Sequence, residues 1–111
     1  MTATLGVEDL ARLLGLKPEV VEGWLAEGWV RPAREGAAWR FDEMDVARAR
    51  LIAEMLRDLA VPPDSVSMML SLLDQAHGMR RQLRQLLEAL AEQPPEVCRS
   101  VLRRARLIER E

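Results

Sequence analysis

Apolar residues recur at helical spacing through almost the whole chain, interrupted at a few glycines and prolines. Leu10, Leu13 and Leu14 follow a 3.6-residue period and predict a short first helix. Gly15 ends it, because glycine tolerates the left-handed conformation of a helix C-terminus. Pro18 suits the first turn of a second helix, where its missing N–H costs nothing. Val20, Val21, Trp24 and Leu25 form the apolar face of that helix, and Gly28 stops it. Two helices joined by a short Gly-containing connection predict a helix-turn-helix unit.

The pattern then changes. In the stretch WVRPAREGAAWRF, Pro32 and Gly36 are turn-formers, while Val30 and residues 39–41 favour extended structure. This predicts a two-stranded hairpin, a wing, with its turn near Glu35–Gly36. Pro32 restricts its strand to an edge. Helical periodicity resumes at Asp42, an N-cap with Asp45 three residues on, a variant of the capping box. Met44, Ala47, Leu51, Met55 and Leu59, widened by Ile52 and Leu56, predict an amphipathic helix over residues 43–59. Pro62–Pro63 breaks it.

Residues 64–92 are again helical. Val66, Met69, Leu70 and Leu73 share a face, and Met79, Leu83, Leu86 and Leu90 follow at spacings of four, three and four, a heptad seam. Gly78 lies between the two stretches, and a joint or kink is expected there. After Pro94–Pro95, Val97, Val101, Ala105 and Ile108 predict a last helix over residues 96–110. The fold class is therefore mainly α, with a small β-hairpin wing and a long C-terminal dimerisation helix. The expected organisation is a winged helix-turn-helix unit with its following helix (1–60), a helical dimerisation segment (61–93) and a helical extension (94–111). A helix this long cannot bury its whole apolar stripe on so small a unit, so symmetric antiparallel pairing with a second copy is expected.

Charge changes the functional picture. The chain has 111 residues and a net charge of −2, without the basic excess usual in nucleic-acid binders. Residues 1–30 carry five acids against two bases, residues 31–60 balance, residues 61–92 sum to −1 and residues 93–111 to +2. On a DNA-reading helix the N-terminal half meets phosphates and base edges and needs Arg, Lys, Asn or Gln. Here that half reads Lys17-Pro18-Glu19-Val20-Val21-Glu22-Gly23-Trp24. Glu19 and Glu22, one turn apart, oppose the counterion release that drives phosphate binding. The alternative of DNA binding rests on Lys17 and the wing residues Arg31, Arg34 and Arg40. Those arginines have Glu35, Asp42 and Glu43 as neighbours to pair with. Arg99, Arg103 and Arg106 share a face of the last helix, which reads as solvated.

Chemistry is sparse. Cys98 is the sole cysteine and His77 the sole histidine, so neither a disulfide framework nor a metal-ligand cluster is expected. No phosphate-cradling glycine loop is present, no cofactor is expected, and the chain does not read as an enzyme. No run is long enough to cross a membrane and no secretion signal precedes the first helix, which fits a cytoplasmic protein. Trp24, Trp29 and Trp39 have two readings: a small core beneath the helix-turn-helix, or, for Trp24 or Trp29, a partly exposed interface anchor.

The order of elements resembles the MerR family of transcription regulators. The matching residues are Leu10-Ala11 with Gly15, Gly28 with Pro32, and Arg40-Phe41 before Asp42, over about residues 5–92. MerR proteins carry an arginine followed by aromatics on the recognition helix, where this chain has Glu22-Gly23-Trp24. The cysteines with which MerR metal sensors bind their ion have no counterpart around the seam. The chain is also similar to the CbpM family of chaperone modulators, in Trp39-Arg40-Phe41-Asp42, Arg57-Asp58-Leu59, and Leu70 with Leu72-Leu73-Asp74. It departs from that family at Pro62-Pro63, at Gly78 and in the tail after Pro94-Pro95. The resemblance implies binding to the J-domain of a DnaJ-like co-chaperone, CbpA, and inhibition of its work with DnaK. J-domains present a basic helix, so the expected partner-binding residues are Glu19, Glu22, Trp24 and Glu27. Asp42, Glu43, Asp45 and Asp74 are further acidic candidates.

Overall fold

The structure is a computed structural model that describes residues 3–108. Its elements are α1 (Val7–Leu14), α2 (Pro18–Glu27), β1 (Ala33–Glu35), β2 (Ala38–Arg40), α3 (Glu43–Ala53) with a π-helical turn over Glu54–Asp58, α4 (Pro63–Ala91) and α5 (Pro95–Arg104). The chain divides into two compact units, one running to Leu70 and one from Ser71 onward.

In the first unit, α1 and α2 form the expected helix-turn-helix. Gly15 and Gly28 close them with φ of +70° and +74°, a conformation that would strain any other residue. The backbone N–H of Leu16 bonds the Ala11 carbonyl at 2.8 Å, and that of Trp29 bonds the Trp24 carbonyl at 2.9 Å, so most carbonyls left over at each helix end find donors. Two arginines add donors at or just past these ends. Arg57, from the π-helical turn, donates to the Leu14 carbonyl at 2.9 Å, and Arg48, on α3, donates to the Trp29 carbonyl. Both cations sit where a helix end is negative, so α3 and its extension clamp the two helices electrostatically as well as by packing.

The wing is present. Strands β1 and β2 pair antiparallel, with Arg34 opposite Trp39 and Glu35 opposite Ala38, around a two-residue loop led by Gly36 at φ +62°. Positive φ at that place is what a tight hairpin turn demands. One feature had no signal in the sequence pattern: Leu5 and Phe41 exchange backbone hydrogen bonds of 2.9 and 2.8 Å, tying the start of the chain to the end of the wing.

The capping box of α3 is complete. The Asp42 carboxylate accepts from the Asp45 N–H at 2.8 Å, and the Asp45 carboxylate accepts from the Asp42 N–H at 2.9 Å. The face that α3 buries differs from the predicted stripe. Ala49, Ile52, Ala53 and Met55 are buried, with Val46 and Leu56 beside them, while Met44, Leu51 and Leu59 are exposed. The small methyls of Ala49 and Ala53 let other elements approach α3 closely, and a pattern read from large residues passes over them. Leu13 of α1 is likewise exposed, and Ala11 takes the buried place.

The helix of α3 also ends differently from a single run to residue 59. The π-helical turn widens its last turn, Ala60 adopts φ +50°, and the Val61 N–H reaches back to the Met55 carbonyl at 2.8 Å. Pro62 then prevents continuation. Val66 and Leu70, on the first turns of α4, join the core, and the Trp29 indole N–H donates to the Ser67 hydroxyl at 2.7 Å.

No break occurs at Gly78. It lies inside one continuous helix, where a missing methyl costs up to ~1 kcal/mol of propensity that 29 residues of α4 absorb. In the second unit, α5 ends at Arg104, short of the expected residue 110, because Arg106 turns left-handed at φ +60° and the Leu107 N–H bonds the Leu102 carbonyl at 2.9 Å. Ala105, Arg106 and Ile108 are thus off the helix, and Arg106 does not continue the face of Arg99 and Arg103. Arg110 lies outside the described residues.

Candidate partner-binding surface

Helix α2 is fixed from within. Pro18 starts it, Val21 and Trp24 lock one side into the core, and Gly28 closes it. At 100° per residue, Glu19, Glu22 and Glu27 then fall within an arc of about 140° on the opposite side, with Gly23 and Ala26 between them. All five are exposed. Among the described residues no ion pair engages Glu19, Glu22 or Glu27. The result is a smooth, anionic helix face whose charges are available to an outside cation.

Trp24 does not belong to that face. It is 5% exposed and Trp29 is 7% exposed; both are core, as the first of the two tryptophan readings has it. The physical reason is position: Trp24 lies on the side of α2 shared with Val21, against the core. Trp39 is half-buried on the wing.

The wing arginines proposed for DNA are already engaged. The Arg34 guanidinium lies over the Trp39 ring, 4.6 Å from its centroid. Arg40 pairs with Glu35 at 3.1 Å, the pairing anticipated from the sequence, and Arg31 donates to the Gly28 carbonyl at 3.3 Å. Asp42 is occupied as a cap and does not meet these arginines. Lys17 remains exposed at the N-cap of α2, where its side chain makes no capping bond.

A second surface was not legible as a site. Glu43, Val46, Ala47, Arg50, Leu51 and Glu54 line an open groove of about 390 Å³ along α3. Of the predicted stripe, Ala47 and Leu51 lie in it. Nearby, burial raises the Asp45 carboxyl above its usual value, assisted by the charge of Asp42 and opposed by that residue's backbone N–H and by Arg48.

The seam residues lie in the second unit. Met79 is 65%, Leu83 52% and Leu86 69% exposed, and Leu90 is half-buried. Among the described residues no three His, Cys, Asp or Glu side chains gather to hold a metal, and no helix is long and apolar enough to cross a membrane.

This arrangement of helix-turn-helix, wing and following helices agrees with the comparison to known proteins. Residues 5–88 match the family described as MerR HTH family regulatory protein. The chain belongs to the MerR helix-turn-helix family. Within the MerR plan it is similar to proteins named chaperone modulatory protein CbpM from the Dugway and Henzerling II strains of Coxiella burnetii. Each is 26% identical over 88 residues, spanning 77% of this chain and 81% of the relative. The fold is that of a MerR regulator, a winged helix-turn-helix. Helix α5 lies beyond the residues that match the MerR family.

Proposed function

We propose that this chain is a non-enzymatic, cytoplasmic regulator. It binds the J-domain of a DnaJ/CbpA-like co-chaperone through the α2 face of Glu19, Glu22 and Glu27, and so inhibits the co-chaperone's work with DnaK. The observation that carries the reading is the set of three exposed, unpaired carboxylates on the helix that would need cations to read DNA. Similarity to chaperone modulatory proteins supports the partner class. The mechanism is occlusion: a basic J-domain helix that lies on α2 is hidden from its chaperone, with no bond made or broken. Exposed charge pairs attract through screened solvent, so affinity falls as salt rises.

The working form we propose is a homodimer, joined along Met79, Leu83, Leu86 and Leu90. The exposure of Met79, Leu83 and Leu86 in one chain leaves a leucine-rich seam without a full cover. The test is titration calorimetry of the full chain against a purified J-domain at low and physiological salt. Glu19→Lys with Glu22→Lys is expected to weaken binding at least about tenfold, since each reversal replaces an attraction by a repulsion. An unchanged affinity removes the α2 assignment, and absence of any J-domain binding removes the function. Sequence-selective binding of duplex DNA at nanomolar protein would instead restore Lys17 and the wing arginines as the working surface.

A further inference from the structure

A glycine inside a helix loses more conformational freedom on folding than any other residue and brings no side chain to pack, so it calls for a reason. Gly15, Gly28 and Gly36 have theirs in a positive φ, and Gly6 precedes α1 as its N-cap. Gly78 is one residue among the 29 of α4, which absorb it. Gly23 has none of these reasons. It lies midway along the ten-residue α2, its φ is not positive, and a Cβ added to it would meet nothing within 4 Å. No part of its own chain comes close enough to demand glycine there.

Its place on α2 supplies a reason from outside. Gly23 follows Glu19 by four residues and precedes Glu27 by four, so the three share one row of the exposed face. Eight residues at 1.5 Å set the two glutamate positions about 12 Å apart along the axis. The row is a saddle, with a long acidic side chain at each end and bare backbone between. An α-helix with its side chains is about 10–12 Å thick, which matches that gap. Helix axes come as close as about 8 Å only where the residues at the crossing are small. A flexible basic strand would reach both carboxylates whatever stood at position 23, whereas a rigid helix needs the space.

We infer that Gly23 sets the specificity of the α2 face for a basic helix that crosses α2 steeply. The crossing helix seats on the Gly23 backbone between Glu19 and Glu27 and carries cations on both of its flanks. A helix parallel to α2 would instead ride over both glutamates. The inference rests on the proposed J-domain contact and gives that contact its geometry.

Titration calorimetry of the full chain against a purified J-domain, at low and physiological salt, tests it. Gly23→Ala and Gly23→Leu are compared with the parent and with Glu19→Lys plus Glu22→Lys, and circular dichroism gives each Tm. Alanine and leucine are better helix formers than glycine, so both glycine variants are expected to melt at or above the parent's Tm. Their affinity moves the opposite way. Gly23→Leu is expected to raise Kd at least about 30-fold and Gly23→Ala a few-fold, because the added volume must be accommodated at a close-packed crossing. The factor is the same at both salts, since volume is not screened, whereas the effect of charge reversal shrinks as salt rises. If Gly23→Leu binds within about two-fold of the parent while charge reversal weakens binding, the saddle falls and the α2 charges stand. If both glycine variants bind weakly and also melt below the parent, Gly23 serves folding and the inference falls. If the parent binds no J-domain, the inference falls together with the reading beneath it.

Discussion

Replacing Arg57 by methionine removes one of the two cations that clamp the helix-turn-helix. The guanidinium donates to the Leu14 carbonyl at 2.9 Å, and Leu14 itself is buried. That carbonyl is one the turn at Gly15 leaves over: the Gly15 N–H takes the Arg12 carbonyl and the Leu16 N–H the Ala11 carbonyl. A hydrogen bond from a charged donor contributes about 1.5–3 kcal/mol, and a cation at a helix C-terminus about 0.3–1 kcal/mol. Arg57 is partly in solvent, so water recovers some of this, and a loss of about 1.5 kcal/mol is expected. For a domain of this size that lowers Tm by roughly 6–12 °C. Thermal and urea unfolding followed by tryptophan emission measure it, because all three indoles lie in the first unit. Arg57→Lys retains the charge but not the planar donor and is expected to fall between parent and methionine variant. A methionine variant within 0.3 kcal/mol of the parent, or one equal to the lysine variant, refutes the clamp.

Three further outcomes follow from the structure. Ala60→Gly relieves a left-handed conformation at φ +50° and is expected to raise stability by about 0.5–1 kcal/mol in urea unfolding, the steric gain exceeding glycine's entropy. Trp29→Phe removes the indole donor to Ser67 and leaves that hydroxyl without it, lowering stability by about 1 kcal/mol, while Ser67→Ala alone shows a similar loss. Asp45 carries a carboxyl raised above its unfolded value of 3.8, so its contribution to stability is full below that pH and is lost as pH rises through the folded value. Asp45→Asn retains an acceptor for the Asp42 N–H and cannot ionise. Its melting temperature should therefore gain on the parent as pH rises out of the acid range, and parallel pH profiles would disprove the assignment.

Much of this architecture was legible because it is written in residues with strong local preferences. Gly15, Gly28 and Gly36 mark left-handed positions, Asp42 and Asp45 make the box, and Pro62 and Pro94 stop helices. The buried face of α3 was not legible, since alanines at 49 and 53 carry a packing role that hydrophobicity undervalues. Arg48 and Arg57 were invisible as clamps: a long-range bond to a carbonyl has no spacing rule. Gly78 was over-read, because a propensity penalty spread over a long helix does not break it. For the α2 surface, the three glutamates were readable from period alone, and period also set Trp24 beside Val21, but only the structure shows how fully that side is buried.

The placement of the indoles separates the two halves of the molecule optically. Trp24, Trp29 and Trp39 all sit before Leu70, whereas α4 and α5 contain no Trp, Tyr or Phe and so no near-ultraviolet chromophore. Emission thus reports the winged portion alone, while far-ultraviolet ellipticity sums over every helix. On dilution through the midpoint of the proposed dimerisation, ellipticity should fall with the intensity and colour of the emission unmoved, giving a label-free record of assembly.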